Sequence, residues 1–186
     1  MRLKEDAWAK KLEVSRVAVR EALTRLLGER LVYVGEKGGY FVAAMTAADV
    51  RQIRELREIL ELGALRLAGK SAARETVIKL EKICDEFTAM VQSGYLAGAI
   101  EADLKFHETL VEASGNQKLV EAYYFSHIPL FHQKLGKTQV YVDDYALTDK
   151  EHRQITNAIK KGNLPMAEKS LVAHFARGEQ YVLDLD

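Results

Sequence analysis

One aspartate and three histidines have the residue types and part of the spacing of a metal site. Asp103 and His107 lie four residues apart, so a helix would project both side chains from one face. His152 and His174 follow later in the chain, each beside apolar residues. Imidazole nitrogens and a carboxylate oxygen suit zinc, nickel, manganese or iron, so these four groups could bind one divalent ion.

Each of these histidines also has a purely structural interpretation. A histidine on an apolar stripe is commonly a hydrogen-bonded core residue, and His127 and His132 illustrate this, since they flank an apolar segment and have no partner pattern. The spacing of the residues therefore does not decide between two interpretations, a metal site and a set of core histidines.

A second group of residues near the N-terminus could bind DNA. Ser15 is suited to cap the helix that follows it, because its hydroxyl can accept from the amides of the first turn. Arg16 and Arg20 lie one turn apart at the start of that helix. A recognition helix places such arginines in the major groove, where they pair with guanine or phosphate. The alternative is an amphipathic helical hairpin with solvated arginines.

Helices are the predicted elements for most of the chain. Only two prolines occur, and apolar residues recur at intervals of three and four. This periodicity predicts helices at residues 4–12, 16–28, 47–70, 74–93, 97–114, 116–136, 143–161 and 164–183. Residues 31–43 differ, since two β-prone runs flank a glycine-bearing turn with Lys37 at its tip, which predicts a β-hairpin. The expected fold class is mainly α.

Charge divides the chain near residue 45. Residues 1–45 contain 9 lysines and arginines against 6 acidic residues, whereas the remaining 141 residues contain 18 against 21. A basic segment followed by an acidic one indicates that the first part meets a polyanion. Because the predicted hairpin ends at residue 43 and a short joint at 44–46 precedes the helical pattern, we predict a DNA-binding domain at 1–45 and an all-helical domain at 46–186.

Composition excludes several classes of protein. Cys84 is the only cysteine, so an internal disulfide and a thiolate metal cluster are excluded. No apolar stretch approaches ~18 residues, and the first residues lack the apolar run of a signal peptide. We expect a cytoplasmic protein without a membrane partner.

The segment at 14–23 (VSRVAVREAL) resembles the recognition helix of GntR-type transcriptional regulators, and residues 39–42 (GYFV) resemble the wing of that family. The resemblance implies a winged helix-turn-helix domain that binds double-stranded operator DNA. It assigns DNA contacts to positions in the recognition helix and at the wing tip: Ser15, Arg16, Val17, Ala18, Arg20, and Gly38 or Gly39.

Three features depart from that family pattern. Ala18 stands where proline is common, a mild change, because proline there only pre-sets a dihedral. Arg30 stands where glycine is usual, which would cost about 1 kcal/mol if φ were positive. The family also has a helix before the one at 4–12. We therefore expect a truncated winged domain with its first helix absent and Trp8 partly uncovered.

From residue 46 onward the chain resembles the C-terminal effector domain of the FadR subfamily, in its shorter, six-helix VanR-like form. The matching pieces are Glu55-Leu-Arg57 with Glu61, Asp103-Leu-Lys-Phe-His107, Gly115-Asn116 with Leu119, Glu151-His152, Ile159-Lys-Lys-Gly-Asn163 and Ala173-His174. The resemblance implies a divalent metal, with zinc the first candidate and nickel or manganese the alternatives. Its ligands would be Asp103, His107, His152 and His174.

The same resemblance implies a small carboxylate effector beside the metal. Arg57 is the candidate anion partner, through its planar fork. The other interpretation of Arg57 is a surface arginine or one paired with Glu61.

These implications predict a homodimeric transcriptional regulator, not an enzyme, whose binding to a pseudo-palindromic operator is controlled by a small organic acid. Two alternatives stay open. One is a metal-dependent hydrolase that activates water, with Glu101 or Glu108 as the base. The other is a ligand-sensing dimer that no longer binds DNA.

Overall fold

The computed structural model describes residues 1–29, 31–43, 46–126 and 142–183. The chain divides into two compact units, Met1–Thr46 and Ala47–Asp186. Helices dominate the described residues, which confirms the predicted mainly α fold. Arg30, His127, His132 and the predicted continuation of the 116–136 helix beyond residue 126 lie outside the described residues.

The N-terminal unit combines two helices with a small sheet. Its elements are β1 (Arg2–Leu3), α1 (Glu5–Leu12), α2 (Arg16–Gly28), β2 (Val32–Val34) and β3 (Tyr40–Val42). The strands are antiparallel in the order β1-β3-β2, so β3 is central. The predicted hairpin is therefore present, and β1, which the sequence patterns did not predict, adds a third strand.

A capping serine and two turn glycines define the start of α2 and the connection between β2 and β3. The Ser15 hydroxyl caps α2 by accepting from the Ala18 amide at 3.1 Å. In the β2–β3 turn, Gly38 and Gly39 have φ values of 77° and 87°, a conformation that favours glycine. A small apolar core lies between helices and sheet, formed by Leu3, Ala9, Val19, Leu23 and Val32 with partly buried Trp8, Leu26 and Tyr40. α2 and both strands of the hairpin contribute residues to this core.

The described part of the C-terminal unit is a bundle of six helices. They are α3 (Ala47–Leu67), α4 (Gly69–Gln92), α5 (Leu96–Glu112), α6 (Gln117–Phe125), α7 (Val142–Lys160) and α8 (Leu164–Leu183). Among the described helices, none is both long and apolar enough to span a bilayer.

Four of these helices share the main core of the unit. Its buried residues are Leu80, Ile83, Cys84, Phe87, Ala99, Ala102, Phe106, Leu110, Tyr145, Ile155, Leu171 and Phe175. Burying one large side chain of this kind contributes about 1.5–3 kcal/mol. On α5 the apolar stripe runs through 99, 102, 106 and 110, so residues 103 and 107 lie on the same inward side. The packing that stabilises α5 therefore also directs Asp103 and His107 inward.

Candidate metal centre and nucleic-acid interface

Three helices bring the four predicted metal ligands together inside the C-terminal unit. Asp103 and His107 come from α5, His152 from α7 and His174 from α8. One donor atom from each residue lies within 4.8 Å of the other three. Residues that are up to 71 positions apart in the chain thus form one cluster.

The cluster is buried and sterically fixed. His107, His152 and His174 are 0%, 1% and 6% exposed. The Phe106 ring stacks on His152 with centroids 3.9 Å apart and planes 4° from parallel. Phe87 contacts the other side of His152 edge-on at 5.9 Å. Aromatic neighbours therefore restrict the orientation of the His152 ring.

Two carboxylates outside the cluster determine which nitrogens face inward. Glu61 Oε2 lies 2.7 Å from His107 Nδ1, and Glu151 Oε2 lies 2.8 Å from His174 Nδ1. Because a carboxylate accepts, each Nδ1 donates a proton to its carboxylate, and each Nε2 is the nitrogen that faces the cluster. These two Nε2 atoms are 3.2 Å apart. At this separation a cation between the two nitrogens, either a shared proton or a metal ion, would stabilise the pair.

Burial disfavours a proton on Nε2 of His174. Desolvation lowers the pKa of His174 to about 3; the hydrogen bond to Glu151 opposes this, and the neighbouring histidines add to it. Burial alone would raise the pKa of Glu151, but hydrogen bonds from His174 and Arg177 lower it to about 2. At neutral pH the pair is thus a neutral imidazole that donates to a charged carboxylate.

The remaining two donors complete a set that fits a divalent ion. His152 Nε2 lies 3.2 Å from Asp103 Oδ1, yet it is buried and makes no hydrogen bond to any described residue. Across one zinc ion, opposed nitrogens stand at most about 4.2 Å apart, twice the bond length. The observed spread therefore needs only a small side-chain adjustment, and the residues present fit a metal.

Arg57 lies beside this cluster, on α3. It is 5% exposed, its Nε donates to Glu61 Oε1 at 3.0 Å, and its guanidinium lies 4.5 Å from the centroid of the Phe175 ring. Burial alone would lower the pKa of Arg57, but the charges of Glu61, Tyr123 and Asp103 raise it. The pairing with Glu61 is thus present, and through Glu61 this charged arginine is connected to His107.

Sequence reasoning missed Tyr123 on α6. Its side chain is fully buried, and its hydroxyl has no hydrogen-bond partner in the described part of the chain. Burial raises the pKa of Tyr123 well above 10, and its neighbours include Glu61 and Arg57. A buried neutral hydroxyl next to Arg57 is thus available to donate to a ligand. The sequence carries no signal for it, since a tyrosine on the apolar face of a helix is commonly an ordinary core residue.

The role of Glu151 was also missed, although it directly precedes His152. Arg177 on α8 donates to both Glu151 oxygens at 2.8 Å and to Thr148 Oγ1 at 2.8 Å. Arg177 also bonds Asp144. This network fixes the carboxylate that orients His174, much as Arg57 fixes Glu61.

The predicted DNA-contacting residues of the helix lie in the first two turns of α2 and at its N-cap. Arg16 and Arg20 have side chains that are 60% and 59% exposed, and Val17 is 63% exposed. Ser15 and Ala18 are joined by the capping bond described above. The arginines are not simply solvated, because Glu5 and Asp6 of α1 bond to them at 2.8 Å.

Gly38 lies at the tip of the β2–β3 turn, where an added Cβ would meet nothing within 4 Å. A Cβ on Gly39 would instead lie 3.2 Å from Nε and Nη2 of Arg2. Sequence reasoning missed Arg2, which lies beside the wing because β1 pairs with β3.

Comparisons with known proteins agree with this arrangement. The FCD domain family model matches residues 52–177. YdhC, an HTH-type transcriptional regulator of Bacillus subtilis, is 32% identical over 178 residues, which cover 94% of this chain and 78% of YdhC. The relatives found are transcriptional regulators rather than enzymes.

Two solved structures show the same fold at low identity. Escherichia coli McbR/YncC has a TM-score of 0.82 at 18% identity, and the match covers 100% of this chain and 88% of that one. A structure described as the metal-free FCD domain of a transcriptional regulator has a TM-score of 0.57 at 22% identity and covers 74% of this chain and 94% of that one.

Proposed function

The chain belongs to the GntR family of transcriptional regulators with an FCD (FadR C-terminal) domain, and from this premise we propose that it is a metal-containing regulator controlled by a small organic acid. Residues 1–45 would bind operator DNA, and residues 46–186 would bind metal, effector and a second copy of the chain. The buried donor cluster carries the proposal.

Asp103, His107, His152 and His174 are the proposed metal ligands. The support is the convergence of their donor atoms within 4.8 Å and the two carboxylates that direct His107 and His174. Nitrogen-rich sites of this kind take zinc, with nickel or manganese as alternatives. When bound, such an ion supplies a Lewis acid to which carboxylate oxygens coordinate.

A small carboxylate is the proposed effector, with Arg57 as its anion partner. The guanidinium is buried, charged and held by Glu61 and Phe175, so little side-chain entropy is lost when it binds an anion. The Tyr123 hydroxyl offers a second donor. A carboxylic acid with an additional oxygen, such as a hydroxy acid or sugar acid, suits this pair.

Ser15, Arg16, Val17, Ala18, Arg20 and Gly38 are the proposed DNA contacts. A homodimer would place two recognition helices on the half-sites of a pseudo-palindromic operator. The effector would control DNA binding only through different affinities for two arrangements of the dimer. The metal-dependent hydrolase is disfavoured, since the relatives found are regulators.

Metal content tests the proposal directly. We expect mass spectrometry of the untagged full chain to find near-stoichiometric metal, because the four donors converge. His107→Ala and His174→Ala should lose it. Asp85→Asn, a change at an exposed carboxylate on α4 that pairs with Arg153, is the matched control and should keep it. Folded wild-type protein that contains no metal and takes up none from added zinc, nickel or manganese would contradict the metal site.

A further inference from the structure

Two acidic residues of α1 bond the arginines of the recognition helix. Glu5 accepts from Arg20 Nε at 3.2 and 3.3 Å and from Arg20 Nη2 at 2.8 Å. Glu5 Oε2, which accepts from Arg20 Nη2, also lies 3.9 Å from Arg16 Nη2. Arg16 Nε lies 2.8 Å from Asp6 Oδ1. Glu5 is thus in contact with both arginines, and Asp6 with one.

Glu5 engages only one edge of the Arg20 guanidinium. A guanidinium has five N–H groups in a planar fork. Glu5 accepts from the edge formed by Nε and Nη2, so the edge formed by Nη1 and the outer Nη2 proton remains for another partner. That end-on edge can donate to guanine O6 and N7 together. Glu5 therefore fixes the plane of an exposed side chain without occupying the atoms that would contact a base.

Charge gives Glu5 a second effect on DNA binding. The hydrogen bond from Arg20 lowers the pKa of the Glu5 carboxyl, so this group is charged at neutral pH. A carboxylate next to Arg20 offsets its attraction to the phosphates of any DNA sequence. A guanine contact depends on geometry more than on net charge, so it is weakened less.

From these contacts we propose that Glu5 is a positioning residue for operator recognition. It orients Arg20 toward a guanine of the operator and reduces binding to DNA of unrelated sequence. This inference rests on the proposed DNA-binding function. Its structural alternative is that acidic residues in the first turn of α1 merely stabilise that helix. Glu13, an exposed acidic residue at the other end of α1, is not among the partners of Arg16 and Arg20 given above, so Glu13→Gln is the control for the loss of one negative charge.

The test begins with the wild-type full chain, which is used to select duplexes from a random-sequence pool. Binding to the selected duplex and to a scrambled duplex is then measured by fluorescence anisotropy over a salt series. We expect Glu5→Gln to lower the ratio of specific to non-specific affinity about tenfold, on the scale of one bidentate base contact. Binding to the scrambled duplex should tighten, and its salt dependence should steepen by up to about one unit of slope.

Controls separate this inference from the proposed function. Glu13→Gln should keep the affinity ratio close to wild type, and Arg20→Ala should lose the preference for the selected duplex. An unchanged ratio in Glu5→Gln overturns the inference alone. So does equal weakening on both duplexes together with a lower melting temperature, because that result indicates a structural role. If Arg20→Ala keeps the preference, the inference also fails. A wild-type chain that enriches no sequence overturns the proposed function and this inference together.

Discussion

Carboxylates orient functional side chains in both units of the molecule, but their surroundings differ. In the N-terminal unit Glu5 and Asp6 bond exposed arginines, and the acidic side chains themselves are 21% and 74% exposed. In the C-terminal unit Glu61 is completely buried against His107, which is also completely buried. A carboxylate thus pairs with an arginine at the water-exposed surface of the N-terminal unit, and with a histidine in the low-dielectric interior of the C-terminal unit.

This difference determines what each pairing can contribute. Water and salt screen the exposed pairs, which accordingly add little to the stability of the fold. Under the proposed function, their effect is on how the arginines contact DNA. A buried carboxylate that loses its partner is strongly unfavourable, so the Glu61 pairing contributes to the stability of the fold and, in the proposed site, to metal binding. Three changes test the contrast, from the largest expected effect to the smallest.

Glu61→Gln should cause the largest change. The substitution removes the carboxylate shared by His107 Nδ1 and Arg57 Nε, and it leaves the buried arginine charge without its ion pair. We expect the free energy of unfolding to fall by about 3–5 kcal/mol. Urea unfolding of metal-free protein, followed by far-ultraviolet circular dichroism, measures it, since most helices lie in the C-terminal unit. A loss of unfolding free energy no larger than that of a surface substitution would contradict the difference proposed between the buried and the exposed pairs.

The pH dependence of stability should be intermediate. The folded-state pKa of His174 is about 3, well below the ordinary value of 6.5, so the unfolded chain binds more protons between these values. Stability of the metal-free protein should therefore fall as pH falls below 6.5, by up to about 1.4 kcal/mol per pH unit. Below pH 4.5 the protonation of Glu151, whose folded pKa is about 2, adds to this loss.

Urea unfolding at several pH values between 6.5 and 4.5 isolates the contribution of His174. The slope of the free energy of unfolding against pH reports how many more protons the unfolded chain binds. His174→Gln should lower that number by about one, because glutamine does not titrate. Equal slopes in the two proteins would show that His174 takes up its proton as readily in the folded state as in the unfolded chain, against the burial of its ring.

Glu5→Gln should have the smallest effect on stability. Its partner Arg20 is exposed, so loss of the pair is compensated by water. Trp8 is the only tryptophan and belongs to the N-terminal unit, so its fluorescence follows unfolding of that unit alone. We expect an unchanged urea midpoint by this probe. A midpoint that falls as far as that of Glu61→Gln would remove the distinction between the two units.

Local patterns predicted most of the elements because each depends on neighbours in the chain. The helices of the C-terminal unit follow apolar stripes at intervals of three and four, and the β2–β3 hairpin follows its glycines. β1 escaped prediction because two residues carry no periodicity, and its conformation comes from pairing with β3. Asp103 and His107 could be predicted as a pair for the same local reason, since one turn of helix separates them.

The sequence by itself determined the mainly α class, the recognition-helix and wing motifs, and the residue types of a metal site, since these depend on short-range spacing and on resemblance. Only the tertiary structure decided that Glu61 and Glu151 orient His107 and His174, that Tyr123 lies near Arg57, and that Glu5 meets Arg20. These residues are between 15 and 66 positions apart. Contacts over such separations arise from how helices pack against one another, which no local pattern encodes.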